Sequence, residues 1–199
     1  MQNTLSILKD KNVLVTGASG GLGRCIAHEF AKHDCNLYLT GRDENNLKSL
    51  TKEIQSNKNL FYKTANIEDF NRSFELNVRA PFLLCREFME GMVHNNWGRI
   101  INIGSSSSYS GFKNTSVYCS SKHALLGLTR ALHDEYRCNN IRSYCFSPGS
   151  IQTEMGRKVK NQDFSTFIEP EEIAEYIAFS ISFDGEMISN EIQLKRMNI

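Results

Sequence analysis

The feature that most constrains this chain is an alternation that begins near residue 12. Asn12–Thr16 (NVLVT) is an apolar run of strand length. Gly21–His33 then places Leu22, Ile26, Ala27 and Phe30 at helical spacing. Asn36–Thr40 (NLYLT) reads as a second strand, Glu44–Gln55 as a second helix capped by Asp43, and Leu60–Thr64 as a third strand. The order β-α-β-α-β opens a parallel sheet covered by helices, because parallel neighbours need a crossover between them. The second half repeats the theme. Asp69–Met92 reads as one long helix with a kink at Pro81, followed by a strand at Gly98–Gly104 and a helix at Thr115–Tyr136. A strand at Ile141–Phe146, a helix at Glu171–Ser182 begun by Pro170, and a strand at Glu191–Met197 complete the chain. The expectation is a Rossmann-like α/β doubly wound sheet, one domain over residues 1–199.

Composition narrows the function classes. Lys and Arg number 23 against 22 Asp and Glu, for a net charge of +1, and no basic stripe points to nucleic acid. The six cysteines include no CxxC pair and no zinc-ligand spacing with the five histidines, so free thiols and no metal are expected. The N-terminal segment lacks a signal-peptide pattern, and no apolar stretch is long enough for a bilayer. A soluble cytoplasmic protein, without a membrane partner, is expected.

Three constellations carry chemistry. The first is Thr16-Gly-Ala-Ser-Gly-Gly-Leu-Gly23, set between strand and helix. Its glycines let the backbone approach a pyrophosphate, and the helix N-terminus supplies N–H groups and positive dipole. The competing reading is a tight turn with no ligand. The second is Arg42 at the end of the second strand, where a dinucleotide site reads the ribose. Arginine there suits the 2′-phosphate of NADP, and an acid would suit NAD. The third is Tyr118-Cys-Ser-Ser-Lys122. Residues four apart share a helical face, and an ammonium beside a phenol stabilises its phenolate for general acid–base work. Such spacing arises by chance on exposed helices, but Ser105 stands at a strand's C-terminal end, where open sheets bind ligands. Trp97 reads as a packed turn residue and Cys119 as a small helix-packing residue.

These residues resemble the classical short-chain dehydrogenase/reductase family, in its 3-oxoacyl-carrier-protein-reductase-like form. The resemblance rests on Thr16–Gly23, on Ser105 thirteen residues before Tyr118, on Tyr118-x-x-x-Lys122, and on Pro148-Gly-x-Ile-x-Thr153. It implies Tyr118 as proton donor, Lys122 as ribose ligand and phenolate stabiliser, Ser105 as carbonyl polariser, and Asn77 as holder of a relay water. It further implies cofactor contacts from Gly17, Ser19, Gly21, Leu22, Gly23, Arg42, Asn66, Ile67, Pro148, Gly149, Ile151 and Thr153. The implied activity is hydride transfer between NADP(H), less readily NAD(H), and a small-molecule ketone or secondary alcohol. The implied assembly is a homodimer or homotetramer built on the two long helices.

One departure is large. Family members carry a further helix and a central strand ending in Asn-Ala-Gly between the third strand and the long helix. Here Asn66 precedes Asn77 by eleven residues and no Asn-Ala-Gly occurs. The expected sheet therefore lacks one central strand. The alternative function is a shortened, catalytically impaired member that acts as a binding or interaction protein. The segment between Thr153 and Glu169 is short and polar, which predicts an open pocket or a bulky substrate.

Overall fold

The computed structural model describes residues 6–54, 60–64, 69–159 and 162–197. Its strands are β1 (Asn12–Thr16), β2 (Asn36–Gly41), β3 (Leu60–Thr64), β4 (Gly98–Ile103), β5 (Ile141–Pro148) and β6 (Glu191–Leu194). Its helices are α1 (Gly21–Ala31), α2 (Glu44–Glu53), α3 (Asp69–Phe74), α4 (Ala80–His94), α5 (Ser116–Tyr136) and α6 (Pro170–Ile181). No described helix is long and apolar enough to cross a membrane. The chain divides into two compact units. One comprises Met1–Asn66, Ser150–Ile188 and Arg196–Ile199, and the other Ile67–Gly149 and Ser189–Lys195.

In the first unit β1, β2 and β3 pair in parallel, in that order. Strand residues alternate faces, so Val15, Leu37 and Leu39 turn to one side and are buried, on the face that α1 and α2 cover. Ala27 and Phe30 of α1 and Leu47 and Leu50 of α2 join them in the core. The opposite face presents one row across three strands, Leu14 beside Tyr38 beside Phe61. All three are exposed, and the two rings stack with centroids 5.2 Å apart. Asp43 caps α2 as its position predicts, accepting from the Asn46 N–H at 2.9 Å. Arg24 of α1 reaches Glu53 of α2 in an ion pair. Helix α6 packs against α1 through a continuous buried face of Ile173, Ala174, Ile177, Ala178 and Ile181.

The polar segment after Ser150 folds back on itself within this unit. Ile151 bridges Ile168, Gln152 Nε2 donates to the Phe167 carbonyl at 3.0 Å, and Phe167 is buried. Arg196 donates to Thr166 at 3.1 Å and Gln162 at 3.0 Å, and its guanidinium lies 5.0 Å from the Phe167 ring. The segment is thus strapped at both ends.

In the second unit β4, β5 and β6 pair in parallel, in that order. Met89, Ile100, Leu132 and Ile141 form a core between α4, α5 and the sheet, with Cys85, Met92, Leu128 and Tyr136 packed around it. Trp97 is half-buried at the entrance of β4, with the Arg99 guanidinium 4.9 Å from its ring.

The parallel α/β architecture matches the expected Rossmann-like class, with strands paired in two three-stranded sheets and β1 and β4 each holding a single partner among the described residues. One expectation is corrected. The predicted continuous helix over Asp69–Met92 is interrupted. Glu75–Arg79 is a π-helical turn between α3 and α4, with the Ala80 N–H bonded to the Glu75 carbonyl. Pro81 has no N–H for the Asn77 carbonyl and its ring crowds that carbonyl, so the disturbance falls one turn upstream of the proline.

Candidate active site

The glycine-rich loop is a backbone cradle. Gly17 follows β1 with φ +69°, a left-handed conformation that side chains rarely adopt. Its carbonyl accepts from the Gly20 N–H at 2.9 Å. A Cβ on Gly23 would overlap that same carbonyl oxygen, so the helix approaches the loop as closely as backbone allows. The Ala18 N–H donates to the Thr40 carbonyl at 2.9 Å, which fastens the loop to the end of β2. Ser19 packs against Gly41. No side chain caps α1, so its first N–H groups remain for a ligand. These features fit a dinucleotide pyrophosphate, which would lie against N–H groups with no side chain in the way. Thr153 belongs to the same unit, with Cγ2 2.9 Å from where a Cβ on Gly21 would stand. Arg42 follows β2 directly and is exposed, without an ion pair to another described residue. Asp43 is occupied as the cap of α2.

The second unit holds the other candidates. β4 ends at Ile103, and Gly104 packs so closely on Ser147 and Cys145 of β5 that a Cβ would overlap the Ser147 hydroxyl. Ser105 then starts a single 3-10 turn, Ser106–Ser108, with a reciprocal cap. The Ser107 N–H donates to Ser105 Oγ at 3.1 Å, and the Ser105 N–H donates to Ser108 Oγ at 3.1 Å. A lone pair of Ser105 is thereby held, and its hydroxyl proton stays available to a further acceptor.

On α5, Tyr118 and Lys122 lie one turn apart. Tyr118 is 36% exposed and Lys122 is 9% exposed. Lys122 Nζ stands 5.8 Å from the Tyr118 ring centroid and donates to the Ile103 carbonyl at 2.8 Å. One ammonium therefore joins the phenol to the strand end that carries Ser105. Burial pushes the Lys122 ammonium down to about 8. Asn77, in the π-turn, donates from Nδ2 to Ser121 Oγ at 3.0 Å, and Ser121 Oγ donates to the Tyr118 carbonyl at 2.8 Å. The structure thus brings Asn77, Ser105, Tyr118 and Lys122 onto one connected set of elements.

Pro148 and Gly149 close β5, with the Gly149 N–H bonded to the Leu194 carbonyl at 2.9 Å. Ile151 and Thr153 lie in the other unit. Asn66 and Ile67 fall outside the described residues. Cys119 is buried beside Thr115, its thiol 3.0 Å from the Thr115 hydroxyl, which holds it below its ordinary range.

Two features escaped the sequence. Ser121 reads as a generic helix residue until its hydroxyl is seen turned inward. Glu191 of β6 takes both Arg130 nitrogens, at 2.7 and 2.8 Å, and the Tyr109 hydroxyl at 3.2 Å. That carboxylate ties the loop after Ser105 to α5 and β6. Burial pushes the Tyr109 phenol up to about 12.

The family described as short chain dehydrogenase matches residues 11–69 and 58–163. The chain belongs to the short-chain dehydrogenase family. The two matched stretches overlap over residues 58–69, which include β3. This short-chain dehydrogenase is 29% identical to a 3-oxoacyl-acyl-carrier-protein reductase of Rickettsia conorii, over 92% of this chain and 94% of that protein. The alignment runs to 227 positions against the 199 residues here, so the relative carries residues with no counterpart in this chain. It is also 29% identical to the L-xylulose reductase of Caenorhabditis elegans, over 89% and 91% of the two chains. Among solved structures, a 3-oxoacyl (acyl-carrier-protein) reductase from Agrobacterium tumefaciens C58 with NADP bound shares the fold. Its TM-score is 0.81, at 17% identity over 98% of this chain and 97% of that one.

Proposed function

We propose that this short-chain dehydrogenase is an NADPH-dependent reductase that interconverts a ketone and a secondary alcohol. The observation that carries the reading is the single Lys122 ammonium that links the Tyr118 phenol to the strand end preceding Ser105. When bound, NADPH would supply the hydride for the carbonyl carbon. Tyr118 gives its phenolic proton to the carbonyl oxygen, so ketone plus hydride plus proton becomes alcohol. Ser105 donates its remaining hydroxyl proton as a hydrogen bond to that oxygen and polarises the carbonyl. Lys122 holds the ribose and stabilises the phenolate left behind. Asn77 holds the water that returns a proton to Tyr118. The N–H groups of the Gly17–Gly23 loop, with Ser19, Gly21 and Leu22, hold the pyrophosphate. Arg42 would read the 2′-phosphate at the end of β2, and Thr153 would stand beside the Gly21 end of the same loop.

Support comes from two sides. The two relatives above are both named reductases, and the Agrobacterium structure holds NADP. In this reading residues 1–199 work as one NADP-binding domain in the cytoplasm, assembled as a dimer or tetramer through α4 and α5.

A second reading, a cofactor-binding protein without turnover, is favoured by the single strand partners of β1 and β4 among the described residues. Thermal melting with NADPH and with NADH, followed by NADPH oxidation against a panel of ketones, separates the readings. At a hundredfold excess over Kd, NADPH should stabilise the protein by about 2.7 kcal/mol. Arg42→Ala should erase the preference over NADH, and Tyr118→Phe should abolish turnover while keeping the melting shift. A shift without turnover on any ketone selects the second reading. No shift with either nucleotide defeats both.

A further inference from the structure

We infer that Ser121 is a positioning residue. Its hydroxyl holds the π-turn of Asn77 against the turn of α5 that carries Tyr118 and Lys122. The consequence for turnover rests on the reductase reading above, and the tie itself stands on geometry alone.

Ser121 is fully buried. Its hydroxyl has one proton, and that proton goes to the Tyr118 carbonyl at 2.8 Å. Toward Asn77, 3.0 Å away, the oxygen can therefore only accept. This settles the orientation of the Asn77 amide, which must present its NH2. A serine that bonds back to its own helix three residues earlier contributes little to that helix. What it gains is an oxygen fixed in direction, with its lone pairs aimed at the neighbouring turn.

That turn needs an anchor. A helix residue is ordinarily held by the N–H four positions on, and for the Asn77 carbonyl that position is Pro81, which has none. The backbone between α3 and α4 has gone to π geometry there. The side chain of Asn77 adds a hold on this irregular turn, and the group that receives it is Ser121. A break at Ser121 frees Asn77 relative to Tyr118 without touching either residue.

The same device recurs on α5. Asn102 of β4 donates from Nδ2 to Thr129 Oγ1 at 3.0 Å, and Thr129 donates to the Leu125 carbonyl at 2.9 Å. Both partners there are buried in regular elements. Eight residues apart, Ser121 and Thr129 each turn a back-bonded hydroxyl toward an asparagine. Of the two, Ser121 serves the turn whose backbone departs from α geometry.

The test compares Ser121→Ala, Ser121→Thr and Asn77→Ala with the wild-type protein. Without ligand, amide exchange in Ser121→Ala should quicken about fivefold across residues 75–79, the factor for one hydrogen bond. Asn77→Ala should quicken exchange in the first turns of α5. With NADPH and a reducible ketone, Ser121→Ala should lower kcat about tenfold and move the KM for NADPH by less than about twofold. Ser121→Thr keeps the hydroxyl and should recover most of that kcat. Unchanged exchange in both alanine variants overturns the tie. Altered exchange with unchanged kcat overturns the positioning role. A joint fall of kcat, NADPH affinity and melting temperature, without recovery in Ser121→Thr, marks Ser121 as merely structural. If the wild-type protein turns over no ketone while the exchange responses hold, the reductase reading fails and the tie stands.

Discussion

Lys122 shows how one side chain can be costly to the fold and useful to the site. A buried ammonium gives up hydration, and a single carbonyl returns only part of it. Its pKa falls from an ordinary 10.5 to about 8 as a result. Below pH 8 the charge is present in folded and unfolded chain alike, and the full cost of burying it is felt. Between about pH 8 and 10.5 the folded protein releases its proton before the unfolded chain does, so stability from this group rises with pH in that window. Lys122→Met should therefore raise stability at pH 7 by about 1–3 kcal/mol in denaturant titrations, with a gain that shrinks from pH 8 to pH 10. The same change should cut turnover at least about a hundredfold. In the wild-type protein, NADPH affinity should weaken above pH 8 as Lys122 loses its charge. A loss of stability in Lys122→Met at pH 7 would show that the ammonium is well paired after all. The pair Tyr118 and Lys122 was legible from its spacing taken together with Ser105 at a strand end. The Ile103 carbonyl that receives Lys122 was not, because a backbone acceptor on another strand leaves no mark in sequence.

At the scale of elements, the interruption between α3 and α4 is the instructive case. Pro81 is visible in sequence as a helix disturbance, but its steric effect acts on the carbonyl four residues earlier, and that residue is Asn77. The disturbance therefore falls on a candidate site residue. Pro81→Ala returns an N–H to that position and should let the segment relax to regular helix. Stability should rise by about 1 kcal/mol, and kcat should drop as Asn77 moves away from Ser121. Hydrogen exchange across residues 75–82 with steady-state kinetics would check both. Unaltered turnover with a regular helix would remove the π-turn from the mechanism. The other elements follow their patterns closely, with ends displaced by up to three residues. Helix α1 stops at Ala31 and α2 at Glu53, each two residues before its expected end, and β6 ends at Leu194, three before.

For the whole molecule, the surface of α4 has the strongest consequence. Only Met89 of its fifteen residues is buried. Phe82 is 49% exposed and Phe88 48% exposed, with Leu83 and Val93 also open to solvent. Phe82 also lines an open apolar hollow of about 320 Å³ with Phe74, Val78 and Leu128. Patches of this kind mark association surfaces. Sedimentation of the wild-type protein should show a dimer or tetramer, and the double change Phe82→Glu with Phe88→Glu should give a folded monomer. A wild-type monomer would defeat this assembly. The row Leu14, Tyr38 and Phe61 belongs to the same scale. A parallel sheet is ordinarily covered on both faces, and these residues lie on the face of β1–β3 opposite α1 and α2.

By itself the sequence determined the alternation of strands and helices, the glycine loop with Arg42 beyond it, and the shared helical face of Tyr118 and Lys122, while Asn77 entered the candidate set only through the family resemblance. Each of the first three is a local pattern, set by side-chain period, by backbone freedom at glycine, or by fixed spacing along one helix. Tertiary structure alone decided how the strands pair, where Lys122 sends its proton donors, and that Ser121 and Glu191 brace the site. Pairing depends on which edges find complementary neighbours. Bracing depends on hydrogen bonds between residues 44 and 61 positions or more apart, which no local pattern records.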